Sequence, residues 1–96
     1  MSFTHIVTFK WQAAQFDDRP VADALNALIP QLDGVQRYLC GSDIGLSPAS
    51  YDFAVVGTFD NRDHFFAYRD HPEHQRILNE LISPNLDTRT VVQLED

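Results

Sequence analysis

The side chains of this sequence best suited to proton transfer are four histidines, His5, His64, His71 and His74, together with Tyr68. His71 and His74 are three residues apart at a predicted helix start, a spacing that brings side chains together. A metal is the first idea this raises. No Cys3His set or HExxH helix accompanies them, and acidic neighbours are commonplace in so acidic a chain, so neither a metal nor an organic cofactor is assigned. His74 falls in the first turn of its helix, where the helix field disfavours an imidazolium. A neutral imidazole there can accept a proton, which is what a general base requires. The competing reading is a histidine that merely packs and hydrogen-bonds beneath a sheet.

His71 precedes Pro72 and suits a capping role, its ring accepting a free N–H at the helix start. His64 is expected to lie exposed on the first turn of the preceding helix. His5 sits mid-strand among Phe3, Val7 and Phe9, and a polar ring in such company needs a partner. Tyr68 lies six residues before His74, across a helix break. Together His5, Tyr68 and His74 can bracket a small aromatic or carbonyl ligand. Phe9, Leu25, Leu28 and Phe53 are expected to wall that pocket, with Val7 and His71 also assigned to its lining. Cys40 stands alone, which excludes an intrachain disulfide, and it reads as a small apolar strand residue rather than a nucleophile.

The elements that must hold these groups follow from periodicity. Phe3, His5, Val7, Phe9 and Trp11 alternate with Thr4, Ile6, Thr8 and Lys10, a strand with two distinct faces. Asp17 or Asp18 can cap the next helix, with Pro20 in its first turn. Val21, Leu25, Leu28, Ile29 and Leu32 form its apolar stripe. Asp33-Gly34 stops that helix and releases a strand over residues 35–44. A turn containing Ser47-Pro48 leads to the strongest strand signal, residues 51–59. Asp60, with Asp63 three residues on, reads as an acidic capping box opening a short helix whose core face is Phe65, Phe66 and Tyr68. Pro72 interrupts it and opens another helix, with Ile77, Leu78, Leu81 and Ile82 as its stripe. Residues 88–94 make a last strand.

The order is β-α-β-β-α-β, the split βαβ pattern of ferredoxin-like α+β folds, with an antiparallel sheet and helices on one face. Ile6, Ala54 and Val56 make the other face too apolar to be left wet, so a second copy packed face to face is expected to cover it. The 96 residues support one core and a single domain spanning 1–96. A formal net charge of −7, from 14 acidic and 7 basic residues, makes nucleic acid and anionic membranes poor partners. The first residues lack a basic segment and a long apolar run, and no stretch reaches a membrane-spanning length, so a cytoplasmic location is expected.

The string Tyr68-Arg69-Asp70-His71-Pro72-Glu73-His74, with Thr4-His5-Ile6-Val7-Thr8-Phe9-Lys10 and the strand Tyr51-Asp52-Phe53-Ala54-Val55-Val56-Gly57-Thr58-Phe59, resembles the stress-responsive α/β-barrel (Dabb) family. The resemblance runs from His5 to Val92. It implies a ferredoxin-like protomer whose sheet joins that of a second copy in a dimeric α/β barrel. It also points to a plant polyketide cyclase of the family, which closes an aromatic ring by aldol condensation. In that enzyme the histidine matched by His74 acts as base, the tyrosine matched by Tyr68 assists, and the histidine matched by His5 lines the cavity. Leu25 and Phe53 replace a tyrosine and a histidine of the cyclase, which makes this pocket greasier.

Three readings follow. One is a dimeric stress-response-type protein with a small apolar cavity for a hydrophobic or aromatic metabolite. Another is a cofactor-free cyclase or lyase in which His74 removes a proton alpha to a carbonyl. The third is a cofactor-free monooxygenase, which the fold permits but the motifs match less well.

Overall fold

The computed structural model describes all 96 residues. Strand β1 (Phe3–Trp11) leads to helix α1 (Arg19–Leu28), then strands β2 (Val35–Ser42) and β3 (Phe53–Phe59). Helix α2 (Arg62–Asp70) and helix α3 (Pro72–Ile77) follow, the latter running on into a π turn (Leu78–Ile82) before strand β4 (Leu86–Glu95). The sheet is antiparallel, in the order β2-β3-β1-β4. This is the ferredoxin-like arrangement. No helix is long and apolar enough to cross a membrane.

The expected closure into a barrel does not occur. Four strands leave β2 and β4 as free edges, some three inter-strand spacings of about 4.8 Å apart, and the helices occupy one face only. The sheet is therefore an open platform.

The alternation of β1 sends Phe3, Val7, Phe9 and Trp11 under the helices, where each is at most 6% exposed. Phe53, Val55 and Phe59 do the same from β3, and α1 answers with Val21, Leu25 and Leu28. Several local details depart from expectation. Of the two candidates for the start of α1, Asp17 Oδ1 accepts the Arg19 N–H at 3.2 Å, whereas Asp18 does not cap the helix with its side chain. The buried Asp18 carboxylate instead accepts Trp11 Nε1–H at 3.0 Å and the Ser42 hydroxyl, tying β1, α1 and β2 together. Helix α2 is capped one residue later than Asp60, by Asn61 Oδ1 accepting His64 N–H at 3.1 Å. Phe66 also turns outward, 40% exposed, beneath the Arg69 guanidinium rather than in the core. His64 is half-buried, not free: a Cβ added to Gly34 would lie 2.2 Å from its ring, and Gly34 itself has φ +75°.

Candidate functional site

One row of residues crosses the sheet where the chemistry concentrates: Tyr38 on β2, Gly57 on β3, His5 on β1 and Gln93 on β4. Gly57 leaves room there, since a Cβ would press on the Phe59 ring at 3.0 Å and the Tyr38 ring at 3.2 Å. Its missing side chain lets Tyr38 and Tyr68 meet over the sheet, their hydroxyls 2.9 Å apart. Tyr68 then packs against His74 with the rings tilted at 42° and their centroids 4.3 Å apart, and His5 meets it edge-on at 6.5 Å.

The helix break sets His74. Pro72 has no N–H, and the N–H of Glu73 donates to His71 Nδ1 at 3.0 Å, as the position of His71 predicts. The carbonyl of Arg69, which would accept that N–H in an unbroken helix, is left free. It accepts His74 Nδ1–H at 2.9 Å and the Gln75 side-chain amide at 2.7 Å. A carbonyl oxygen can only accept, so Nδ1 carries the proton of the neutral ring and Nε2 keeps its lone pair. Burial is the main force lowering the His74 proton affinity, while the Arg69 carbonyl works against it.

His5 is held in the opposite tautomer. Its Nδ1 accepts from the Gln93 amide at 3.2 Å, which leaves Nε2–H as a donor. Burial first, then His74 and Arg89, push this imidazole down to about 4. Burial also raises the Tyr68 phenol to about 12 and drives Tyr38 higher still. At neutral pH both imidazoles are neutral and both phenols protonated. Cys40, pushed up to about 11 mainly by burial, remains a thiol.

A cavity of about 250 Å³ joins these groups. His5, Val7, Phe9, Leu25, Tyr68 and His74 line it, as assigned from the sequence. Leu78 and Ile82 of the π turn add apolar wall, a common use of such a local widening. Three residues assigned to the pocket lie elsewhere. Phe53, 2% exposed, packs into the core with Phe9 and Trp11. Leu28, 1% exposed, belongs to the cluster around Phe59. His71 is occupied in capping and borders a shallow groove between α1 and α3. Among the residues the sequence reading missed are Arg89, Val91 and Gln93 in the lining and Tyr38 behind Tyr68. Gly57, an unexplained gap in the apolar face of a strong strand, was the available signal for Tyr38.

Residues 3–96 match the Dabb family, described as the Stress responsive A/B Barrel Domain. The chain belongs to the Dabb family. An uncharacterized protein of Streptomyces coelicolor is 32% identical over 75 residues, 74% of this Dabb chain and 77% of the relative. A crystal structure of a dimeric ferredoxin-like protein of unknown function from Thermobifida fusca aligns with TM-score 0.87 and 38% identity, covering 98% of this chain and 90% of that one. The hydroxynitrile lyase of Passiflora edulis aligns with TM-score 0.71 over 97% of this chain and 91% of its own. At 19% identity that likeness is one of fold alone. Although the family's description carries the word barrel, this Dabb chain keeps an open sheet with two free edges.

Proposed function

We propose that this chain works as a homodimer joined through the outer face of its sheet, each protomer binding a small apolar or aromatic metabolite in the cavity beneath β1 and β4. The outer face supports the first part. Leu39, Val92 and Leu94 are 58%, 52% and 54% exposed there, alongside Ile6 and Val56, an apolar patch of the kind that marks an interface. The Thermobifida fusca relative, 38% identical, is itself dimeric.

The second part rests on one observation: apolar walls converge on a buried His74 whose Nδ1–H is tied to a backbone carbonyl and whose Nε2 makes no hydrogen bond. Few convergent polar groups in an apolar cavity is the usual form of a small-molecule site.

The same tautomer favours a second reading, cofactor-free proton abstraction by a cyclase or lyase. Nε2 of His74 takes a proton alpha to a carbonyl, and the C–H electrons move to the carbonyl oxygen as an enolate. The resulting imidazolium is stabilised by the Arg69 carbonyl at the negative end of α2. The enolate needs a donor. The resemblance gives Tyr68 an assisting role, but its hydroxyl is engaged with Tyr38, whereas His5 Nε2–H is free. His5 is thus the better donor, and Tyr68 serves as the wall that orients the His74 ring.

The test is a ligand-observed NMR screen of aromatic and β-diketone metabolites against wild type and His74→Ala, with sedimentation velocity on the same samples. A dimer that binds members of the panel supports the binding reading. Turnover that falls by about 10²–10⁴ in His74→Ala adds the catalytic one. A monomer, or a wild type that binds none of the panel, overturns the corresponding part.

A further inference from the structure

The cation inventory of this chain is uneven. Four of its six arginines hold a carboxylate close by: Arg19 with Asp17, Arg62 with Glu95, Arg69 with Asp70, and Arg76 with Glu73 and Glu80. The Arg37 and Arg89 guanidinia make neither an ion pair nor a side-chain hydrogen bond, in a chain with twice as many acids as bases, and Arg37 lies away from the cavity. Arg89 lines the cavity. Arg69 borders the same cavity, but its guanidinium is committed to Asp70 and stacked over Phe66 at 4.7 Å. Arg89 is therefore the cavity's one uncommitted cation.

Its place in the register fixes what it can do. Arg89 lies opposite Phe9 and Gln93 opposite His5, so the two share the helix-side face of β4 at opposite ends of the cavity. Four residue steps of strand separate them, about 13 Å. One end of the site holds the two neutral imidazoles, the middle is apolar, and the other end carries a fixed positive charge. The guanidinium also reaches far enough along the cavity to disfavour protonation of His5.

We propose that Arg89 is the anchor for an anionic group, and that the ligand is an apolar or aromatic carboxylic acid rather than a neutral hydrocarbon or ketone. The chain carries an overall charge of −7. An anion approaching this surface meets repulsion nearly everywhere, so an unpaired guanidinium at a cavity mouth is the feature that would admit one. Arginine also presents a planar fork that matches a carboxylate in two hydrogen bonds. The acid group would sit toward Phe9 and Arg89, with the apolar body pointing at His5 and His74. This inference rests on the cavity being a ligand site.

Matched acid and amide pairs separate the two claims: phenylacetate with phenylacetamide, and 3-phenylpropanoate with 3-phenylpropanamide. Affinities are measured by NMR titration for wild type, Arg89→Gln and the charge control Arg19→Gln. The expected result is at least tenfold tighter binding of each acid than of its amide in wild type and Arg19→Gln. In Arg89→Gln that preference disappears while amide binding is retained. Equal affinity of acid and amide in wild type, or a preference that survives Arg89→Gln, overturns the role of Arg89 and leaves the cavity reading standing. Binding of neither member of any pair to wild type removes the cavity reading and this inference with it.

Discussion

On the helix side of the sheet, the β2 edge and the β4 edge end in opposite states. Along β2, Tyr38 is half-buried with its hydroxyl on Tyr68, and the Cys40 thiol faces the Ala22 carbonyl and the Asn26 side chain on α1. Each polar atom there has a protein partner. Along β4, Arg89, Val91 and Gln93 are exposed, and the cavity opens beside them. α1 packs down over one edge, whereas the segment after the Pro72 break stands off the other. Binding chemistry collects where the cover stops, because there His5 Nε2–H, His74 Nε2 and the Arg89 guanidinium are left without internal partners.

The largest test of this difference compares two apolar residues on the same sheet face. Phe53, 2% exposed, fills the packed side, and Phe53→Ala should cost about 3–5 kcal/mol by leaving a cavity. Val91, 45% exposed beside the existing cavity, should lose only about 0.5 kcal/mol or less as Val91→Ala. Urea unfolding of both variants gives the two numbers. Similar losses would mean that the β4 side is as tightly packed as the β2 side, and the contrast would collapse.

A smaller effect is expected from the hydroxyl pair that closes the β2 side. Tyr38→Phe leaves the Tyr68 hydroxyl, on a side chain 2% exposed, without its partner at an expected cost of about 1–3 kcal/mol. The double variant Tyr38→Phe/Tyr68→Phe should recover part of that loss, since two apolar rings leave nothing unpaired. Additive losses in a double-mutant cycle would show that the two hydroxyls do not depend on each other.

What was readable in advance follows the same division. The order of elements, the break at Pro72 and the capping by His71 rest on local signals, a proline, an alternation or an apolar stripe, and each is present in the structure. Depth was not local. Period-two alternation places Phe53 on the helix side, but not under the packed core rather than beside a void, and the same holds for Leu28 on α1. The tautomer of His74 needed the Arg69 carbonyl to be freed, which depends on where the Glu73 N–H goes. Arg89 and Gln93 were read as members of a last strand, and only pairing with β1 turns them toward His5 and Phe9. Closure of the sheet depends on strand number and edges, which no side-chain pattern encodes.

The subtlest test of the contrast is the pH dependence of stability. His5 has its folded value depressed to about 4, while the unfolded chain should show the ordinary histidine value of about 6.5. Between those values the unfolded state binds the extra proton and the folded state does not, so stability rises with pH across that window. It is fully present above about 6.5 and is lost as pH falls toward about 4. His74, also depressed by burial, adds a slope of the same sign. The shifted carboxylates at Asp17, Asp70, Glu73 and Glu95 are held below their usual range and titrate later on acidification. The fall from pH 6.5 to 5 therefore reports the imidazoles. Urea midpoints at pH 7.5, 6.5, 5.5 and 5.0 should change little between the first two and fall below pH 6.5 in wild type, and His5→Gln should flatten that fall without abolishing it. A profile unchanged by His5→Gln would place that ring in water, and with it the β4 edge would be no special environment at all.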